Sequence, residues 1–160
     1  MLHPQALIKL FDYNIRLLNK QTERLTHADS LVQPNFGGNS INWIIGHLIS
    51  SRTRTSERVG EKPVWDEDTR ARYRHGSAPI SEDGPGVLPL ETLLRDINES
   101  QRRLVAGLER MTYDQMSQPS GYEDNTIGDS LAYFQFHEAH HVGQVVYIAP
   151  LVGQPGVWIR

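Results

Sequence analysis

The sequence predicts an all-α chain folded as a four-helix bundle. Two observations carry this. Four stretches repeat apolar residues at helical spacing, and no stretch alternates as a half-buried strand does. Two long, turn-rich connections, one after the second helix and one after the third, complete the pattern of a bundle with irregular crossings. The length, 160 residues, suits one domain spanning 1–160.

The first helix starts at Pro4, a residue suited to the first helical turn. Leu7, Ile8, Phe11, Ile15, Leu18 and Leu25 keep to one side, and the helix is expected to end between Thr26 and Asp29. The turn-rich 33-QPNFGG-38 follows, and Asn39 or Ser40 can cap the second helix. Its apolar set is Ile41, Ile44, Ile45, Leu48 and Ile49, running to about Val59 with Gly60 as the stop.

Residues 60–88 are broken by Gly60, Pro63, Gly76, Pro79, Gly84, Pro85 and Gly86, which predicts a long loop with a short helical turn near 66-DEDTRARYR-74. A loop of this length in a compact domain is commonly functional. The third helix starts at Pro89 and carries the stripe Leu90, Leu93, Leu94, Ile97, Leu104, Leu108 and Met111. A second loop covers 112–125. The fourth helix opens with Thr126 and Asp129 in a capping-box arrangement and runs through Leu131, Phe134, His141, Val145 and Ile148 until Pro150 and Gly153. Val145 and Val146, with Val157, Trp158 and Ile159 of the tail, are β-leaning but too short to build a sheet.

Composition narrows the function. A net charge of −3 gives no electrostatic footprint for nucleic acid. No apolar run reaches the roughly 18 residues that cross a bilayer. The amphipathic N-terminus lacks the apolar block of a signal peptide, so a cytoplasmic location is expected. There is no cysteine. Any metal must therefore be held by nitrogen or oxygen, and any thiol chemistry needs a thiol from outside.

Seven histidines are present, and three fall within 137-HEAHH-141. His-Glu-x-x-His is the zinc-protease pattern, two ligands and a general base. A third ligand is normally supplied downstream, but residues 142–160 hold no His, Asp, Glu or Cys, and no sheet edge is predicted to receive a peptide. The protease reading is set aside. Glu138 is then expected to be a carboxylate on the helix surface, with an indirect role behind the ligands or a general-base role as its functional alternative.

His137 and His141 are four apart, on one face and about 6 Å apart along the axis. His137 and His140 form a second possible pair. The apolar stripe favours His141, and leaves His140 partly exposed or behind the ligands. A hydrogen-bonded core pair is the plain alternative to a metal site. His47 in 43-WIIGHL-48 also lies among core-facing positions, and one metal would satisfy three buried rings together. Three histidine ligands leave coordination positions open, as catalytic sites do.

The residues Trp43-x-x-x-His47 and His137-x-x-x-His141-x-Gly143-Gln144 resemble the DinB-like superfamily, also called DinB/YfiT-like. The resemblance covers nearly the whole chain, and the His-His-x-Gly-Gln string is its most specific part. It implies an up-down-down-up bundle in which His47, His137 and His141 bind a divalent metal, zinc or nickel. Some members are transferases or isomerases that use low-molecular-weight thiols such as mycothiol, bacillithiol or glutathione, and homodimers are common. The implied partner is a small-molecule substrate.

The expected function is a metal-dependent transferase in which an external thiol is activated as the nucleophile. Alternatives are a metal-dependent hydrolase, or a non-catalytic metal-binding or helical interaction module. An anionic thiol cofactor would want cations. Arg52 lies near the face of His47, with Arg54 and Arg58 beyond, against the plain expectation that all three are solvated. Arg70, Arg72, Arg74 and His75 are expected on the surface, and His3 and His27 near helix ends. Trp43 is placed in the core beside the site. Gln144 is expected to hold a ligand's second nitrogen or a backbone group. Gly143 is expected to permit close helix approach, and Tyr147 to lie in the core or an interface.

Overall fold

The computed structural model describes residues 3–154. The protein is all-α: no strand occurs among the described residues, and one isolated bridge joins Pro119 and Thr126. Val157, Trp158 and Ile159 lie outside the described residues.

Helix α1 spans Pro4–Thr22, with the His3 side chain accepting from the Gln5 amide. It ends before the expected 26–29. There Thr26 and Asp29 instead form a capping box that starts α2, His27–Leu31: each side chain accepts a hydrogen bond from the other residue's backbone N–H. Helix α3 spans Ile41–Arg58, its first turn capped by the Ser40 hydroxyl, and Gly60 (φ +75°) turns the chain away. Within the long loop Asp66 caps the short α4, Glu67–Ala71. Helix α5 spans Leu90–Arg110 behind Pro89. Thr112 and Gln115 cap α6, Tyr113–Met116, inside the second loop. Helix α7, Ile127–Ile148, opens on the Thr126–Asp129 capping box and passes into a 3-10 turn, Ala149–Val152.

The four long helices pack as a ring: α3 lies against α5 and α7, and α1 lies against the same two. Two apolar clusters fill the ring. One centres on Ile44, Ile45, Leu48, Leu93, Ile97 and Val145; the other on Leu7, Phe11, Leu104, Leu108 and Leu131. Each fully buried Leu, Ile or Phe contributes about 1.5–3 kcal/mol, so these stripes are what hold the ring closed.

The 60–88 loop is pinned to α3. Trp65, Tyr73 and Ile80 are all buried. The Tyr73 hydroxyl donates to Asn42 Oδ1 (3.2 Å) and accepts from the Leu88 amide (2.7 Å), while Asn42 Nδ2 donates to the Leu88 carbonyl (3.0 Å). Gly46 makes this possible. A Cβ there would sit 2.0 Å from Tyr73 Cδ1, so only glycine lets the ring lie on the helix.

Two expectations are corrected by burial. Arg52 is not solvated and Glu138 is not on the surface: they are 3% and 2% exposed. Arg52 Nε and Nη2 grip the two Glu138 carboxylate oxygens at 2.7 and 2.9 Å. Further guanidinium hydrogens reach Ser100 Oγ (3.0 Å) and Gln101 Oε1 (2.8 Å), and Gln101 Nε2 donates to Asp12 (2.6 Å). The network crosses α3, α7, α5 and α1. A hydropathy stripe treats every charge as outward-facing, which is why it misplaces a charge neutralised by its partner inside the ring.

Candidate metal centre

Helix α3 supplies His47, and α7 supplies His137 and His141 one turn apart. One ring nitrogen from each falls within 4.8 Å of the others. His47 is buried at 5% exposure, and the other two are half-buried. The Trp43 indole stacks on His47 with centroids 4.7 Å apart and planes 7° from parallel. Its Nε1 donates to Ser77 Oγ (2.9 Å), so the loop steadies the stack.

The hydrogen bonds fix which nitrogens face the centre. His47 Nδ1 lies 3.0 Å from the Tyr73 carbonyl. A carbonyl only accepts, so Nδ1 carries the proton and Nε2 keeps its lone pair. His141 Nδ1 donates to Gln144 Oε1 (2.8 Å), which likewise leaves its Nε2 free. The expected role of Gln144 on a ligand's second nitrogen is thus met by geometry. His47 Nε2 and His137 Nε2 approach to 3.3 Å. One proton on His137 Nε2 can bridge them, and a divalent cation can take that proton's place.

Electrostatics favours neutral rings. Burial pushes His47 down to about 4 from its ordinary 6.5, against a partial lift from the Tyr73 carbonyl. Burial, then the neighbouring His141 and His47, pushes His137 to about 4 as well. Burial lowers His141 too, with the Gln144 bond working the other way. Metal binding needs deprotonated imidazole, so His47 and His137 meet that requirement well below neutral pH, and the shift of His141 works in the same direction.

His140 points elsewhere. It is exposed, stands outside the close group, and accepts from Gln144 Nε2 at 3.2 Å. Gln144 therefore links it to His141 without bringing it to the centre. Gly143 is exposed, and a Cβ there would meet nothing within 4 Å, so it does not serve a close helix approach within the chain. Tyr147 is 70% exposed and packs edge-to-face on Phe36 (centroids 5.7 Å) rather than in the core. A groove of about 370 Å³ runs beside the centre, lined by Phe36, Ile44, His140, Gly143, Gln144 and Tyr147 among others.

Arg54 is exposed, and Arg58 lies over Phe134 at 5.7 Å. Arg70 and Arg74 pair with Glu67 in the loop. His27 accepts from the Leu90 amide (3.2 Å) and His3 caps α1. Sequence reasoning did not find Tyr73. Its only signal is an aromatic inside a polar loop, and its role depends on a backbone carbonyl that no side-chain pattern encodes.

The profile of the DinB superfamily matches residues 10–145. No curated protein matches the sequence. The chain belongs to the DinB superfamily.

Proposed function

We propose that this DinB-superfamily protein is a cytoplasmic, divalent-metal-dependent enzyme that acts on a small molecule as a transferase using an external low-molecular-weight thiol. In this reading His47, His137 and His141 hold zinc or nickel, and the ring of long helices is one up-down-down-up bundle domain that works as a homodimer. The observation that carries it is the convergence of three imidazole nitrogens within 4.8 Å, two of them on rings whose other nitrogen is already committed.

The donor set suits such an ion. Neutral imidazoles are ordinary ligands of zinc and nickel, and the second-nitrogen partners Tyr73 and Gln144 orient the rings and raise their basicity. A bound divalent cation supplies Lewis acidity, lowering the pKa of a thiol or water drawn to it. Three protein donors leave room for that reactant. With no cysteine in the chain, the thiol comes from solution.

The residues around the centre have separate tasks. Trp43 covers one face of His47 and excludes water from it. Arg52 and Glu138 spend their charges on each other, so their task is to fix α7 against α3 rather than to touch substrate. That burial also favours a second reading, a metal-dependent hydrolase. Arg52, held by Glu138, is not free to anchor an anionic thiol cofactor.

Cobalt-substituted protein separates the two. Addition of glutathione or another small thiol should produce an intense near-ultraviolet sulfur-to-cobalt band. A spectrum unchanged by every thiol tried, with ester or amide hydrolysis present, would replace the transferase with the hydrolase.

A further inference from the structure

Residues 70–77 of the long loop are strapped along one face of α3. Ser50 Oγ donates to the Arg70 carbonyl (3.4 Å), His47 Nδ1 to the Tyr73 carbonyl (3.0 Å) and Trp43 Nε1 to Ser77 Oγ (2.9 Å). Residues 43, 47 and 50 follow one another at helical spacing, so the strap runs antiparallel to α3 and passes the His47 ring. Between the last two fastenings the chain makes a four-residue turn, 74–77, closed by the Ser77 amide on the Arg74 carbonyl (3.1 Å). Gly76, at φ +79°, supplies the left-handed position such a turn takes. His75 stands at the head of this turn, midway between the residue that holds His47 and the residue that holds Trp43.

That placement brings His75 beside the trio without joining it. It stands outside the close group of ligand nitrogens. Burial is the larger cause of the depressed His47 and His137, but the charge of His75 bears on both rings as well. On His141, behind burial and the Gln144 bond, the neighbouring charge is that of His140. His75 therefore lies toward the His47–His137 pair, whose Nε2 atoms approach to 3.3 Å, and His140 lies toward His141. The two other candidates for a base are committed: Glu138 is gripped by Arg52, and His140 Nε2 accepts from Gln144. His75 is exposed, and no hydrogen bond engages its ring among the described residues. A free imidazole takes up and releases a proton near neutral pH, and an exposed one can hand it to water.

We propose that His75 is the proton acceptor for the external thiol of the reading above, on which this inference rests. The S–H bond of the thiol breaks and sulfur keeps the electron pair as thiolate. The proton forms an N–H bond on the His75 imidazole, which then releases it to solvent. Nothing is oxidised or reduced. The strap thus has two tasks: the Tyr73 carbonyl orients a ligand, and the turn that follows presents the base.

Cobalt-substituted protein tests this with two readouts. In nuclear magnetic resonance the His75 ring signals, assigned by comparison with His75→Ala, should be shifted and broadened in the cobalt protein relative to the zinc protein. In stopped-flow mixing with glutathione in weak buffer, the sulfur-to-cobalt band should form about 100-fold more slowly in His75→Ala, the size of a general-base contribution. Added imidazole should restore much of the rate, which it would not do for a merely structural residue. Cobalt content should match the wild type, because His75 is not a ligand.

His75 signals identical with cobalt and with zinc would overturn this role and leave the metal and thiol reading standing. So would a band that forms at the wild-type rate in His75→Ala, or a slow one that imidazole does not restore. Wild-type protein that binds no cobalt, or binds it and gives no band with any thiol, would overturn that reading and the role of His75 with it.

Discussion

The Tyr73 backbone carbonyl accepts the Nδ1 proton of His47 at 3.0 Å, so a loop residue sets the tautomer of a candidate metal ligand. The same tyrosine's ring lies on Gly46, the residue before that histidine. Gly46→Ala would place a methyl group 2.0 Å from Tyr73 Cδ1 and force the ring off α3. The expected cost is about 1–3 kcal/mol in urea unfolding, as for overpacking elsewhere. Zinc affinity, measured by competition with a chromophoric chelator, should also fall by about 10-fold or more, as for loss of an outer-shell partner.

Gln144 separates His141 from His140. It accepts from the first and donates to the second. His141→Ala removes a ligand and should abolish stable metal binding. His140→Ala should leave most of it. Gln144→Ala should lie between, about 10- to 100-fold weaker, the size of an outer-shell effect. Titration with zinc in the presence of a competitor orders the three. Equal losses at His140 and His141 would contradict the ligand assignment.

The depressed histidines tie stability to pH in metal-free protein. The unfolded chain takes up protons near pH 6.5, while His47 and His137 in the fold hold off until about 4. The unfolded state therefore binds more protons in this window, and stability rises with pH. It should be greatest above about 6.5 and fall as pH drops toward 4. The loss is up to a few kcal/mol, mostly from the buried His47, since the half-buried His137 is screened by solvent. Urea unfolding in chelator at pH 7 and pH 4.5 measures it, and His47→Gln should flatten part of the slope.

The Arg52–Glu138 pair should behave as a buried ion pair does. Removing one partner strands a charge in the ring, so Arg52→Ala or Glu138→Ala should each cost about 3–5 kcal/mol. Replacing both with apolar residues, Arg52→Met with Glu138→Leu, should cost less than either single change. A double-mutant cycle by urea unfolding gives the coupling. Additive losses would mean that the pair does not act as a unit.

How much of this was legible follows from which interactions are local. The caps at Ser40, Thr126 and Asp129 and the apolar stripes depend on residues a turn apart, and the sequence displays them. The histidine trio is half local: His137 and His141 share a turn, whereas His47 is 90 residues away and entered through its place among apolar neighbours. Tyr73 under the loop, and the inward turn of Arg52 and Glu138, come from pairings across helices. Charge by itself argues for the surface, and only the partner reverses that argument.

The most direct test of the account is metal content by plasma mass spectrometry on untagged protein, with His47→Ala prepared in parallel. The account predicts close to one zinc, nickel or similar divalent ion per wild-type chain and little in the variant. Wild-type protein that is metal-free as purified and takes up no added zinc, nickel, cobalt or manganese would contradict it.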